Sequence, residues 1–303
     1  MQLESSVAPL FFPDPEQNSV LHLGFAPLPM SQWIKLDTDF AIFQQHKLAQ
    51  QTNLQRVFQS LPESEAAQAD FAQFLARHLL AQHSDTFQVN NNDLLHKPSG
   101  RSWPLATNCL WQASLWAQED FCLLEKKPDG LTSDYVLTAA SVCSPSNWFL
   151  EDKIGKGLDQ IHKPVPGYKQ QLAARVNRFM ESLRADRAYQ RYNWSLQKGN
   201  QLLWRADEIN DGGSGCENES ESETKVASRN NSNIYWRVER QTFVKLPQSG
   251  AVVFAIRIYL HSAKRMNQLM NFDDAIARLV ARLPQDERRY KDLDHFVNSG
   301  IGR

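Results

Sequence analysis

The sequence contains no run of about 20 apolar residues, so no segment reads as a membrane span. It also contains no C-x-x-C. Its four cysteines, Cys109, Cys122, Cys143 and Cys216, are scattered. That excludes the usual ligand spacing of a zinc site or an iron–sulfur cluster. The thiols read as ordinary side chains of a reduced, cytoplasmic protein. An excess of basic charge is missing as well. The balance of 33 Lys+Arg against 34 Asp+Glu gives a formal charge of −1, without the electrostatic footprint that nucleic-acid binding requires. No G-x-G-x-x-G fingerprint marks a dinucleotide site. Residues 1–14 lack the basic start and apolar stretch of a signal peptide.

What is present is an ordinary globular composition over 303 residues, 42% hydrophobic, enough for a normal core. Eight tryptophans and sixteen phenylalanines suit either a roomy apolar pocket or dense core packing. Residues 1–45 are broken by prolines and read as an extended arm. From 40 to 83 the pattern is helical, with Phe71, Phe74, Leu75, His78 and Leu79 on one face. A second helical stretch spans 104–119.

Residues 120–145 read as two short strands around a Pro128-Asp129-Gly130 turn. Short helices are expected over 146–162 and a long helix over 164–193. A short strand near 202–205 follows, then an acidic, Ser/Asn-rich mobile loop at 207–233. Strands are expected at 235–246 and 251–261, and a terminal helix at 272–283. Strand–strand, helices, then three strands is an α+β pattern. It is the arrangement of a PAS-like antiparallel sheet with inserted helices, here with an N-terminal helical elaboration. The expected division is an arm and helical cap over 1–119 and a PAS-like domain over 120–303, with the mobile loop and the C-terminal helix in the latter.

One constellation carries chemistry. Ile154, Leu158 and Ile161 share a helix face, and His162 projects beside it. Pro164 and Pro166 stiffen the backbone just beyond. A neutral imidazole beside an apolar stripe suits an axial haem ligand, provided its other nitrogen finds a carbonyl or carboxylate. On spacing alone a helix-ending histidine near a turn is the commoner reading, and His78 on its own apolar face is a rival. Further on, Arg237, Glu239 and Gln241 alternate along one face of a strand. Matching apolar face to apolar face on the next strand sets Glu239 opposite Arg257, and Arg237 opposite Tyr259. That register needs a bulge or one more turn residue in the connection. The polar face reads equally as solvated surface or as the wall of a pocket. There Glu239 would hold a cationic amine and Arg257 would keep it charged.

The segments Ser144-Pro145-Ser146-x-Trp148-x-Leu150-Glu151-Asp152-Lys153-Ile154-Gly155-Lys156, Ile161-His162-x-Pro164-Val165-Pro166-Gly167, Asn193-Trp194-Ser195 and Arg237-Val238-Glu239-Arg240-Gln241-Thr242 resemble those of the haem-dependent oxidative N-demethylases. Leu246-Pro247-x-Ser249-Gly250-Ala251 and Arg288-Arg289-Tyr290-Lys291 fit the same resemblance, which is to the haem-binding alpha subunit. It implies a PAS-like domain holding haem b, dioxygen activation, and NADPH-driven demethylation of a small methylated amine such as dimethylamine. It also implies electrons delivered by a separate reductase subunit carrying flavin and a 2Fe–2S cluster. By position, His162 is the expected iron ligand and Glu239 the residue near the amine. Arg257 is grouped with Glu239 as catalytic. Arg237, Lys153, Trp148 and Asn193 are expected around the cofactor, where basic groups are needed for two propionates. A haem-based gas or ligand sensor is the alternative that the fold leaves open.

Overall fold

The structure is a computed structural model that describes residues 3–126, 135–205 and 233–298. Its centre is a seven-stranded antiparallel sheet. The strands are β1 (Ala26–Leu28), β2 (Phe58–Ser60), β6 (Asp120–Lys126), β7 (Tyr135–Ser141), β8 (Ala188–Lys198), β9 (Ile234–Lys245) and β10 (Val252–Ser262). Their order across the sheet is β1-β8-β9-β10-β6-β7-β2. Both edge strands thus come from the N-terminal segment. A separate meander, β3 (Phe87–Asn90), β4 (Asp93–His96) and β5 (Arg101–Pro104), lies outside it. The described helices are α1 (Phe40–Ala49), α2 (Glu65–Gln82), α3 (Leu110–Ser114), α4 (Leu158–Ile161), α5 (Tyr168–Gln171), α6 (Ala173–Ser182), α7 (Ala263–Leu269), α8 (Phe272–Arg282), α9 (Gln285–Tyr290) and α10 (Leu293–Asn298).

Both faces of the sheet are covered. On one face α4 and α6 pack over Cys122, Leu124, Leu137, Phe243 and Val252, using Leu158, Met180 and Leu183. On the other face two apolar clusters lie end to end. At one end Val244, Val253, Ala255 and Phe121 meet α2 through Phe71 and Leu75. At the other Trp194, Trp236, Val238 and Tyr259 meet α8 through Phe272, Ile276 and Leu279. Between them Arg240 stands opposite Arg257 across the β9–β10 ladder, so a row of buried charge separates the two apolar clusters.

The expected strands at 120–145, 235–246 and 251–261 are present, as is the helix near 272–283. Four details differ. The long helix expected over 164–193 stops at Ser182, and β8 begins at Ala188. The strand expected near 202–205 is therefore this earlier and longer one. The helix expected over 104–119 shrinks to the five residues of α3. The small meander β3–β5 was not expected at all. The Pro128-Asp129-Gly130 turn, Cys216 and nearly all of the 207–233 loop lie outside the described residues.

The β9–β10 register is also corrected. Glu239 pairs with Ile258, Arg257 with Arg240, and Leu260 with Arg237. Turn chemistry decides this. Leu246 N–H donates to Ala251 O at 2.8 Å and Gly250 N–H to Leu246 O at 3.2 Å. Gly250 sits at φ +70°, which a glycine adopts without strain. The four-residue loop closes with no bulge. Asp70 of α2 pins it further: one carboxylate oxygen accepts from Gln248 N, Ser249 N and Ser249 Oγ at 3.0, 2.7 and 2.9 Å.

Candidate functional site

Residues directly opposite in an antiparallel ladder share a face. The ladders therefore set Arg191, Asn193, Glu239, Gln241, Ile256 and Ile258 side by side, on the face that carries α4 and α6. One end of this face lies beneath those helices. The other is closed where Arg237 Nη1 donates to Leu202 O at 3.2 Å and Arg237 Nη2 donates to Ser144 O. Between the two covers Arg191, Asn193, Glu239 and Ile256 stay partly exposed. A mixed apolar and charged floor is left open in the middle of the face.

His162 belongs to the helical cover. It ends α4 with φ −93° and ψ 8°. Its backbone N–H donates to Leu158 O at 3.0 Å, and its ring Nδ1 lies 2.8 Å from the same carbonyl. A carbonyl only accepts, so Nδ1 carries the proton and Nε2 keeps its lone pair. Nε2 makes no hydrogen bond among the described residues. The Pro164-Val165-Pro166-Gly167 turn then folds back. Val165 N–H donates to His162 O at 2.9 Å, and Gly167 takes φ +68°. The turn lays Tyr168 against the imidazole, ring centroids 4.5 Å apart and planes within 12°. The histidine ring is thereby fixed on one side by a hydrogen bond and on the other by a stack. Burial lowers its pKa, and the charges of Arg191 and Lys153 add to that while the bond to Leu158 opposes it. The ring stays neutral at pH 7, the form that ligates metal.

Glu239 is held by amides. Its Oε2 accepts from Asn193 Nδ2 at 3.1 Å and from Gln241 Nε2 at 2.9 Å. Its Oε1 lies 3.8 Å from Arg237 Nε. Two side-chain amides thus donate to one carboxylate oxygen and fix its direction. Arg191 connects the two halves of the site, since its charge acts on His162 and that of Glu239 acts on it. Its Nε is buried without a hydrogen-bond partner among the described residues.

The other expected residues fall in three groups. Trp148 packs with Ile154 and Ile161 on the helix-covered face. Lys153 Nζ donates to Ile161 O at 3.4 Å and so sits beside the His162 turn. Asn193 is in the Glu239 network. Arg237 is fully buried, and both its terminal nitrogens are engaged by Gln197, Leu202 and Ser144. It ties the strand to the start of the helical cover.

Arg257 is the clear correction. It lies on the opposite face and grips both carboxylate oxygens of Asp37 at 3.0 and 2.9 Å. Its guanidinium stacks on Phe43 at 3.9 Å. It does not hold Glu239, because the one-residue change of register turns it to the far side of the sheet. His78, the rival ligand, is buried 4.9 Å from the Trp33 ring on that same far side.

Arg191 and Gln241 complete the site. Arg191 was hidden by reading 164–193 as helix. The alternation Tyr192, Trp194, Leu196 against Arg191, Asn193, Ser195 is the period-two signal that reveals the strand. Two other hollows, of about 300 and 640 Å³, are lined respectively by residues such as Ile34, Asp37 and His83 and by residues such as Asp159, Lys169 and Arg178.

The site thus joins an imidazole with one nitrogen bonded to Leu158 O, an amide-held carboxylate and the guanidinium of Arg191, whose charge acts on His162 and feels that of Glu239. This donor set fits a haem: a neutral imidazole nitrogen that could bind iron, apolar side chains such as Ile154 and Ile161 beside it, and a cation for a propionate. Residues 24–299 match the family described as haem-dependent oxidative N-demethylase, alpha subunit-like. The match covers the whole central sheet and both halves of the site, and the chain belongs to this family.

Proposed function

We propose that this chain is the haem-binding catalytic subunit of an oxidative N-demethylase acting on a small methylated amine of the dimethylamine type. The observation that carries this reading is Arg191, whose charge acts on the Nδ1-bonded imidazole of His162 and is acted on by the amide-held carboxylate of Glu239. The sheet order supports a PAS-like frame. In chain order the strands flanking and following the helices are β6, β7, β8, β9 and β10, and in space they run β7-β6-β10-β9-β8.

In this reading His162 Nε2 would ligate the iron of haem b, with Leu158 O fixing the tautomer. Trp148, Ile154 and Ile161 supply apolar contact, and Arg191 and Lys153 are placed for the propionates. When bound, the haem supplies activation of dioxygen, and the electrons originate in NADPH and arrive through flavin and a 2Fe–2S cluster on a reductase partner. Glu239 binds the substrate ammonium. Its two amide donors fix the carboxylate's direction, so the amine nitrogen and its methyl group are oriented before reaction. The half-buried setting weakens solvent screening of that ion pair.

The test is an absorption spectrum of the purified full-length chain with and without dithionite, followed by amine titration. His162→Ala should abolish the specific haem spectrum while the variant still unfolds in a cooperative transition, at a midpoint lowered by the loss of the ligand. Glu239→Gln should keep haem and weaken dimethylamine-induced spectral change by about tenfold or more, the cost of losing a charge-assisted contact. A wild-type spectrum in the alanine variant rejects the ligand, and an unchanged titration in the glutamine variant rejects the amine site.

A further inference from the structure

The C-terminal Arg288-Arg289-Tyr290-Lys291 segment is packed into the site, although nothing in the reading above uses it. β1 pairs with β8 only as far as Gln190, so the outer edge of β8 beyond that point lacks a strand neighbour among the described residues. Lys291, just after α9, covers this edge. Its Nζ donates to Trp194 O at 2.6 Å and to Asn193 Oδ1 at 3.0 Å, and lies 4.5 Å from the Trp194 ring centre.

An asparagine amide has two unlike ends, and which end faces which neighbour decides the sign of both contacts. An ammonium only donates, so it takes Oδ1. Nδ2 is then left for Glu239, 3.1 Å away. Flipping the amide would set an oxygen against a carboxylate and a nitrogen against a cation.

We propose that Lys291 is a positioning residue for Glu239: by holding Asn193 Oδ1 it keeps the amide N–H aimed at the carboxylate, and so makes the C-terminal helices part of the binding site. The amine-binding consequence rests on the reading of Glu239 given above, whereas the orientation of Asn193 does not. The charged groups around Lys291 are Glu239 and Arg191 from the sheet, Glu287 from its own helix, and His22 from the N-terminal arm. Tyr290 lies within reach of Glu239 and Arg191. Burial lowers the Lys291 ammonium to about 8, with Arg191 adding to the fall and Glu239 and Glu287 opposing it. The hold on Asn193 is therefore full in neutral solution and weakens as pH rises through about 8.

The experiment follows the Asn193 side-chain amide by nitrogen-15 NMR in the full-length chain. The iron, where present, is kept diamagnetic by reduction under carbon monoxide, and Asn193→Asp supplies the assignment. In the wild type the Nδ2H₂ signals should move with a midpoint near pH 8. In Lys291→Met they should start at the wild-type high-pH position and lose that midpoint. In Lys291→Arg they should stay at the low-pH position to well above pH 9, because guanidinium keeps its charge. Dimethylammonium binding at pH 7, by calorimetry, should weaken about fivefold in Lys291→Met and recover in Lys291→Arg, the size of one charge-assisted link. An Asn193 signal identical in wild type and Lys291→Met at pH 7 overturns the proposal, even if amine binding is intact. The expected NMR behaviour together with amine binding indifferent to Glu239→Gln supports the Lys291 link and rejects the amine site instead.

Discussion

The Arg257–Asp37 pair can be tested most sharply, because its removal separates a structural role from a catalytic one. Arg257 is fully buried and Asp37 retains 12% of its side-chain exposure. The guanidinium makes two hydrogen bonds to the carboxylate at 3.0 and 2.9 Å and one to Ile258 O at 2.7 Å. Asp37 Oδ1 also accepts from Gln118 Nε2 at 2.7 Å and from Asp39 N at 3.0 Å. Asp37→Ala therefore strands a charged guanidinium under the sheet, at a cost of about 3–5 kcal/mol. In a chain of this size that lowers the thermal midpoint by roughly 6–10 °C. Arg257→Met leaves a carboxylate that still has two donors and some water, and should cost less, about 2–3 kcal/mol.

The double variant Asp37→Ala/Arg257→Met removes both charges together. Its loss should fall short of the sum of the two single losses by about 2 kcal/mol or more, since neither partner is then abandoned. The assay is urea unfolding followed by tryptophan fluorescence, with haem content and dimethylamine titration measured on each folded variant. The site lies on the other face, so amine affinity should stay within about twofold of wild type, a change of under 0.5 kcal/mol. Additive losses would refute the pairing. A variant that folds normally but loses amine binding would restore Arg257 to the Glu239 side and refute the register.

Three further outcomes follow from the same contacts. Asp70→Ala removes the acceptor of three donors in the 247–250 loop and should cost about 1–3 kcal/mol in urea unfolding, whereas an unchanged midpoint would mean that Gly250 alone sets the turn. Burial holds His46, His78 and His261 at about 4, so the unfolded chain binds more protons than the native one between about 4 and 6.5. Stability is then intact above pH 6.5 and falls as pH drops toward 4, by up to about 1.4 kcal/mol per unit for each histidine. His261, whose ring nitrogens have no partner among the described residues, is the cleanest probe: His261→Leu should flatten this acid limb by about that amount, and an acid limb of wild-type slope would exclude its contribution. Cys122 and Cys143 are buried with thiols pushed well above their ordinary range by that burial. Native protein at pH 8 should alkylate Cys109 long before either, and equal rates by mass spectrometry would contradict their burial.

The turn around His162 and the sheet face of Glu239 were legible in the sequence for different reasons, while their roles rest on the family resemblance. The His162 turn is local: Leu158, the Pro164-Val165-Pro166-Gly167 turn and Tyr168 all lie within ten residues of one another, so their spacing encodes their geometry. Glu239 was visible through strand alternation, which places Arg237, Glu239 and Gln241 on one face whatever the neighbouring strand does. What alternation does not encode is the partner. Arg257 was assigned by matching apolar face to apolar face, a rule that holds when one face of a sheet is wet.

Here both faces bury apolar residues. Trp236, Val238 and Val244 are buried under the N- and C-terminal helices, while Ile258, Leu260 and Val252 are buried on the other side. An apolar residue on β9 and one on β10 therefore need not share a side, and the hydrophobic pattern fits two registers that differ by one residue. The tie is broken by the loop, through Gly250 at φ +70° and the three donors that Asp70 accepts. Asp70 is 178 residues away in sequence from its first partner, and no local pattern announces it. The same logic hid Arg191: its strand follows a helix closely, and the polar residues that make it half of the site are also those a solvent-facing helix would carry. Face identity is a local property and was readable, whereas the choice of neighbour is a long-range one, made by a carboxylate on α2 and by which helices arrive to cover each side.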